Sequence, residues 1–335
     1  MLNIGVIGCG AIGRDHIRRL TDLVPGCQVV ACADYFEEAA LKVAAQYEGM
    51  KAYKTGEELI AAPEVQAVVI TSSDPSHAGY VLEALKAGKQ VFCEKPLAQS
   101  AADCEKIIVA ETAHGKRLVQ VGFMRHYDRG YAEMKRIIDS GELGAPLMIH
   151  ACHRNVSQPD GFQTEMGVSN VAIHELDICR WLLGDEYKSG QVLKVRQSAC
   201  STKGYDNPQI VLLETQSGAR IDVEVQVADA YGYDIQCQVV CEKGTVNLPD
   251  PYAVVKRSNA TRSFPILTDW KDRFIEAYDI ELTHWVKTLE EKGEPDGPSA
   301  WDGYAACVAA DTLNRSRGTN QFLPIEMMDK PALYK

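Results

Sequence analysis

Residues 2–7, LNIGVI, form a short β-branched run that ends directly on Gly8-Cys9-Gly10-Ala11-Ile12-Gly13. This junction constrains the chain more than any other stretch. A helical pattern runs from it to about Leu23, a second buried-strand pattern covers 28–33, and Asp34 closes that strand. G-x-G-x-x-G alone is a weak signal, because glycines gather at any turn. Between a strand and a helix, with an acidic residue ending the next strand, it predicts a dinucleotide-binding unit. Gly8 permits a tight turn out of the strand, Gly10 lets the backbone approach a pyrophosphate, and Gly13 lets the helix close on the strand. Ala11 and Ile12 open a helix whose free N–H groups and positive end suit phosphates. Asp34 lies 21 residues after Gly13. A carboxylate there accepts both ribose hydroxyls and repels a 2′-phosphate, which predicts NAD rather than NADP.

The alternation continues with a helix over 37–47, a strand at 67–70, the loop TSSDPSH, a helix over 77–87 capped by Ser76, and a strand at 90–93. That strand leads into Glu94-Lys95-Pro96, followed by a helix over 101–114 and a strand at 118–122. Strands alternating with helices predict an α/β, doubly wound parallel sheet of Rossmann type over 1–122. Ligands of such sheets bind beyond the carboxyl ends of the strands. Gly8, Asp34, Ser72, Ser73, His77, Glu94 and Lys95 all fall there and are expected to contact the cofactor. His77 reads equally well as a structural histidine at a helix start. Lys95, at the end of a central strand, is expected to face the nicotinamide, with Pro96 fixing the direction of the chain.

Beyond 122 the pattern changes. A helix is expected over 131–140, and strands at 147–153, 191–197, 210–214, 220–226, 234–241 and 244–248. In RIDVEVQ, Ile221, Val223 and Val225 share one face, with Asp222, Glu224 and Gln226 on the other. Short connections predict an α+β domain over 123–335 with a large, mostly antiparallel open sheet. One helix, 170–183, carries Asn170 and His174 at i,i+4 and Asp177 three residues further on. A helical histidine is often only a packing partner. It is also the side chain best suited to take a hydroxyl proton near neutral pH.

Composition narrows the function classes. A length of 335 residues favours two domains. The net charge of −11, with no basic block, gives no footprint for nucleic acid. No apolar run approaches the roughly 18–20 residues of a membrane span. The first residues carry no secretion-signal pattern, so the cytoplasm is the expected compartment. The 11 cysteines are odd in number and scattered, and Cys32, Cys93, Cys237 and Cys241 read as small buried hydrophobes. Without a CxxC pair or a tight Cys/His cluster, no metal site is expected.

Over essentially its whole length the sequence resembles the Gfo/Idh/MocA oxidoreductases. The Gly8–Gly13 loop, Glu94-Lys95-Pro96 and the helix bearing His174-Glu175-Leu176-Asp177 occur in the family's order. GFMRHYD (122–128), HRN (153–155), YGYDIQC (231–237) and GPSAWDGY (297–304) resemble its inositol-oxidising branch. The resemblance implies a homotetramer joined through the open sheet face. It implies NAD as cofactor and a cyclic polyol as substrate, with myo-inositol first and scyllo-inositol, a glucoside or a related sugar as alternatives. A catalytically silent sensor of NAD or sugar is a further alternative. Lys95 would touch nicotinamide ribose and substrate, His174 would be the acid/base, and Arg125, His153 and Tyr233 would line the polyol pocket. The family pattern has Asp four residues before that histidine, where this chain has Asn170. Three readings stay open: Asn170 makes neutral hydrogen bonds to substrate or imidazole, Asp177 supplies the charge instead, or the change slows turnover.

Overall fold

A computed structural model describes residues 1–199, 201, 204–251 and 254–335. Contacts divide it into two units. The first takes Met1–Met124, Tyr278–Cys307 and Met327–Lys335; the second takes Arg125–Ala277 and Val308–Glu326.

The first unit begins β1 (Leu2–Ile7), α1 (Ala11–Asp22), β2 (Cys27–Ala33), α2 (Glu37–Ala44), β3 (Lys51–Tyr53), α3 (Gly56–Ala61) and β4 (Ala67–Ile70). It continues α4 (His77–Lys86), β5 (Gln90–Glu94), α5 (Ala101–His114) and β6 (Val119–Gly122). The six strands are all parallel, in the order β3-β2-β1-β4-β5-β6. Chain direction across the sheet reverses between β1 and β4, the switch point at which such sheets bind nucleotides. Ala67, Val68, Val69 and Ile70 are fully buried, as a strand covered on both faces requires. α5 starts where Ser100 Oγ accepts the Asp103 amide at 3.2 Å, and ends at Gly115 with φ +68°.

One local expectation fails here. Ser76 precedes α4 but caps no amide. A 3-10 turn over Asp74–Ser76 already gives it helical angles, φ −93° and ψ −12°, instead of the extended cap geometry. Its Oγ donates to Ser73 O at 2.7 Å and lies 2.6 Å from Ser72 Oγ. The first unit also draws on later parts of the chain. Leu282, Trp285, Val286 and Leu289 pack into one core with Ile4, Val6, Leu20 and Phe92. The Trp285 and Phe92 ring centroids are 5.5 Å apart.

The second unit holds α6 (Arg129–Ser140), β7 (Pro146–Arg154), α7 (Ile173–Leu183), β8 (Tyr187–Lys194), β9 (Gln209–Thr215), β10 (Arg220–Gln226), β11 (Asp234–Cys241) and β12 (Gly244–Asn247). A small hairpin of β13 (Lys256–Ser258) and β14 (Thr261–Ser263) follows, then α8 (Trp270–Lys292) and α9 (Ala300–Ser316), both divided between the units, and β15 (Leu323–Pro324). Its sheet runs β12-β11-β7-β10-β9-β8-β15. Only β7 and β10 pair in parallel; the other neighbours are antiparallel. Ile149, Ala151, Ile221, Val223, Val225 and Val239 make the buried face. The opposite face carries charge: Arg154 Nη2 meets Glu224 Oε2 at 2.7 Å and Nη1 meets Asp234 Oδ2 at 2.8 Å, and His150 pairs with Asp222.

The helix expected over 170–183 is two pieces. Gly167–Val171 is one π turn, closed by the Ala172 amide on Gly167 O at 3.0 Å. The α pattern resumes with the Leu176 amide on Ala172 O at 2.9 Å. Asn170 therefore sits in the wide turn and His174 in the first α turn. Such single π turns occur often at functional sites.

Candidate active site

In the first unit, the glycine turn comes first. Gly8 has φ +104°, and a Cβ there would fall 2.5 Å from the Ser72 nitrogen. A Cβ on Gly13 would fall 1.9 Å from Gly8 O, so α1 closes directly on the turn. Thr71 Oγ1 donates to Gly8 O at 2.8 Å and holds the turn to the end of β4. Gly10 differs: a Cβ there would meet no atom within 4 Å. Gly10 is also the N-cap of α1, which has no side-chain cap and no acidic residue in its first turn. The helix's leading N–H groups thus keep their donor capacity and their positive end. An uncapped helix end beside open space fits a pyrophosphate.

Asp34 is already oriented. Its Oδ2 accepts the Cys9 amide at 2.6 Å and its Oδ1 accepts the Phe36 amide at 2.8 Å. Each oxygen retains a lone pair for a ribose hydroxyl. Tyr35 and Phe36 follow as exposed rings, 93% and 71% accessible.

The ends of β4 and β5 contribute the rest. Ser73 is exposed, and Ser72 and Lys95 are half-buried. His77 is buried, with Nδ1 2.7 Å from Pro96 O and Nε2 3.0 Å from Ser72 O. A neutral ring can donate to only one of these carbonyls at a time. His77 thus joins the two strand-end loops, and both its nitrogens face backbone. Glu94 is likewise engaged inside the protein. Its Oε1 lies 2.8 Å from His16 Nε2 on α1, and its Oε2 accepts the Lys95 amide at 3.2 Å. His16 is fully buried against Phe92 and Tyr278. Sequence reasoning did not single out His16 or Thr71.

The second unit gathers Arg125, His153, His174 and Tyr233, and adds Glu175, which sequence reasoning had not assigned. Glu175 is 1% exposed and pairs through Oε1 with Arg125 Nη1, while its Oε2 lies 2.8 Å from His153 Nδ1. Burial alone would favour the acid form of Glu175, but Arg125 and His153 outweigh it and hold the carboxyl down at about 2. Burial opposes the Arg125 charge as well, and Glu175 reverses that, raising its pKa above the ordinary value. The Arg125 guanidinium lies over the Phe274 ring at 5.5 Å. Tyr233 stands edge-on to His153, with centroids 5.8 Å apart and an interplanar angle of 85°. Burial pushes its phenol up to about 12, so it stays protonated and able to donate. The His174 ring centroid is 6.3 Å from that of His153. Asp177 accepts from His126 Nε2 at 2.8 Å, and His126 packs on Trp181. A signal for Glu175 does exist in the sequence. Ile173, Leu176, Ile178, Cys179 and Leu182 occupy several faces of α7, leaving a charged neighbour no wet side.

Residues 2–123 match the family model described as "Oxidoreductase family, NAD-binding Rossmann fold", and residues 131–247 match the "GFO/IDH/MocA C-terminal domain". The chain belongs to the GFO/IDH/MocA oxidoreductase family. Relatives named inositol 2-dehydrogenase from Burkholderia cenocepacia and Ralstonia nicotianae are 52% and 53% identical over 336 residues, covering 100% of this chain and 99% of each relative. The crystal structure of myo-inositol dehydrogenase from Lactobacillus casei in complex with NAD(H) and myo-inositol is 37% identical, covers all of both chains and superposes with a TM-score of 0.96. A scyllo-inositol dehydrogenase from the same organism, 20% identical with a TM-score of 0.86, shares the fold. As a GFO/IDH/MocA protein, this chain carries an NAD-binding Rossmann unit over residues 2–123. Among the described residues no helix is long and apolar enough to cross a membrane, and no group of three or more His, Cys, Asp or Glu could hold a metal ion.

Proposed function

We propose that this enzyme oxidises the 2-hydroxyl of myo-inositol to the ketone, with NAD. The full-length likeness to inositol 2-dehydrogenases, at 52–53% identity, carries this reading. The glycine turn would hold the pyrophosphate and Asp34 the adenosine ribose. When bound there, NAD supplies the acceptor for the hydride. His174 takes the hydroxyl proton as the carbinol C–H bond gives up hydride and the C=O bond forms. Lys95 donates a hydrogen bond to the reacting oxygen and offsets its developing negative charge. Arg125, His153 and Tyr233 hold the remaining hydroxyls, and Asn170 supports the base or the substrate through neutral hydrogen bonds. A homotetramer joined through the charged open face of the second sheet, acting in cytoplasmic polyol catabolism, completes the proposal.

A panel of myo-inositol, scyllo-inositol, a glucoside and glucose, followed by reduced-nicotinamide absorbance, tests it. The highest kcat/KM is expected with myo-inositol. A higher value for a glucoside would overturn the substrate, and tight NAD binding without turnover on any polyol would overturn the activity.

A further inference from the structure

Glu175 lies outside the reaction as written, yet it governs two groups of the polyol half-site. Nδ1 of His153 meets Glu175 Oε2 at 2.8 Å and Arg125 Nη2 at 3.3 Å. They demand opposite states of that nitrogen. A guanidinium can only donate, so it needs a lone pair on Nδ1; an ionised carboxylate can only accept, so it needs Nδ1–H. The carboxylate contact is the shorter and is charge-assisted, and it decides the tautomer. The other oxygen of Glu175 engages the guanidinium of Arg125, itself 1% exposed.

We propose that Glu175 is a positioning residue that fixes His153 as the Nδ1–H tautomer, so that Nε2 presents a lone pair to a substrate hydroxyl while Arg125 is held beside it as a donor. The half-site is then a preset acceptor and donor, and a vicinal pair of polyol hydroxyls is recognised only when one donates and the other accepts. Glu175 would thus act on substrate affinity through His153, without touching the reacting atoms. This proposal rests on the polyol reading above for its substrate, but not for its tautomer.

The test is nitrogen NMR of the intact enzyme labelled with 15N-histidine, with His153→Gln identifying the signals. In the parent, His153 is expected to show a protonated Nδ1 and an unprotonated Nε2. Glu175→Gln is expected to shift that ratio toward Nε2–H. It should raise KM for myo-inositol on the order of tenfold, the worth of one hydrogen bond, with kcat within about threefold, as loss of uniform binding requires. Glu175→Asp should recover part of the KM. A parent enzyme with His153 as Nε2–H overturns the proposal, even if Glu175→Gln fails to fold. So does a Glu175→Gln enzyme with unchanged tautomer and KM. A parent that turns over no polyol defeats the polyol reading instead, while the NMR signal still decides the role of Glu175.

Discussion

Asp34 Oδ2 accepts the amide N–H of Cys9 at 2.6 Å, so the carboxylate that would receive the ribose also braces the glycine turn. Its charge is therefore held in place, where it would repel a 2′-phosphate. The parent enzyme is expected to favour NAD strongly over NADP. Replacing Asp34 by Ser together with Tyr35 by Arg should move the ratio of kcat/KM values toward NADP. Equal efficiency of the parent with both cofactors would defeat the assignment.

Lys95→Met should lower kcat by on the order of 10²–10³, the usual cost of one catalytic electrostatic contact. Its backbone is fixed independently of its side chain, by the Lys95 amide on Glu94 Oε2 at 3.2 Å. NAD affinity, measured by fluorescence titration, should consequently stay within a few-fold. Turnover near the parental rate would make Lys95 a turn residue only.

The Rossmann half was legible because its signals are short in sequence. The turn, the helix start and Asp34 lie within one βαβ unit, and the parallel sheet follows from alternation. Signals that depend on distant partners were not legible. Glu175 meets Arg125 and His153, 50 and 22 positions away; the apolar residues around α7 mark it as buried but do not name those partners. The π turn before α7 leaves the apolar pattern unchanged, so the helix looked continuous. β3 has three residues and α3 six, too few to show a period. The burial of His77 and Glu94 in protein contacts needed the strand-end loops to be seen together.

Asn170→Asp should raise the kinetic pKa of the base in kcat/KM profiles while preserving activity, because a nearby carboxylate favours the protonated imidazole. Asp177 already accepts from His126 at 2.8 Å. Asn170→Ala is accordingly expected to cost more turnover than Asp177→Asn. The reverse order would transfer the charged role to Asp177.

The Glu175 pair should also show in acid stability. Its carboxyl lies below the ordinary 4.5, at about 2. A depressed carboxyl binds its proton more weakly in the folded state, so its stabilisation is complete above about pH 4.5 and is lost as pH falls toward 2. The amount is on the order of 3 kcal/mol. Between about pH 6 and pH 3 the parent should lose more thermal stability than Glu175→Gln. Parallel losses would show that the pair contributes nothing.

The late residues in the first unit's core set an order of events during synthesis. Leu282, Trp285, Val286 and Leu289 complete a core begun by Ile4 and Val6. At roughly 5–20 residues per second, the ribosome needs about ten to thirty seconds to pass from the end of β6 to these side chains. For that interval the nascent nucleotide-binding unit exposes the apolar surface that Trp285 will cover. A fragment ending after β6 should bind holdase chaperones and aggregate, and supplying the carboxyl-terminal segment in trans should relieve it. The first part of this chain to be made cannot be the first to finish folding.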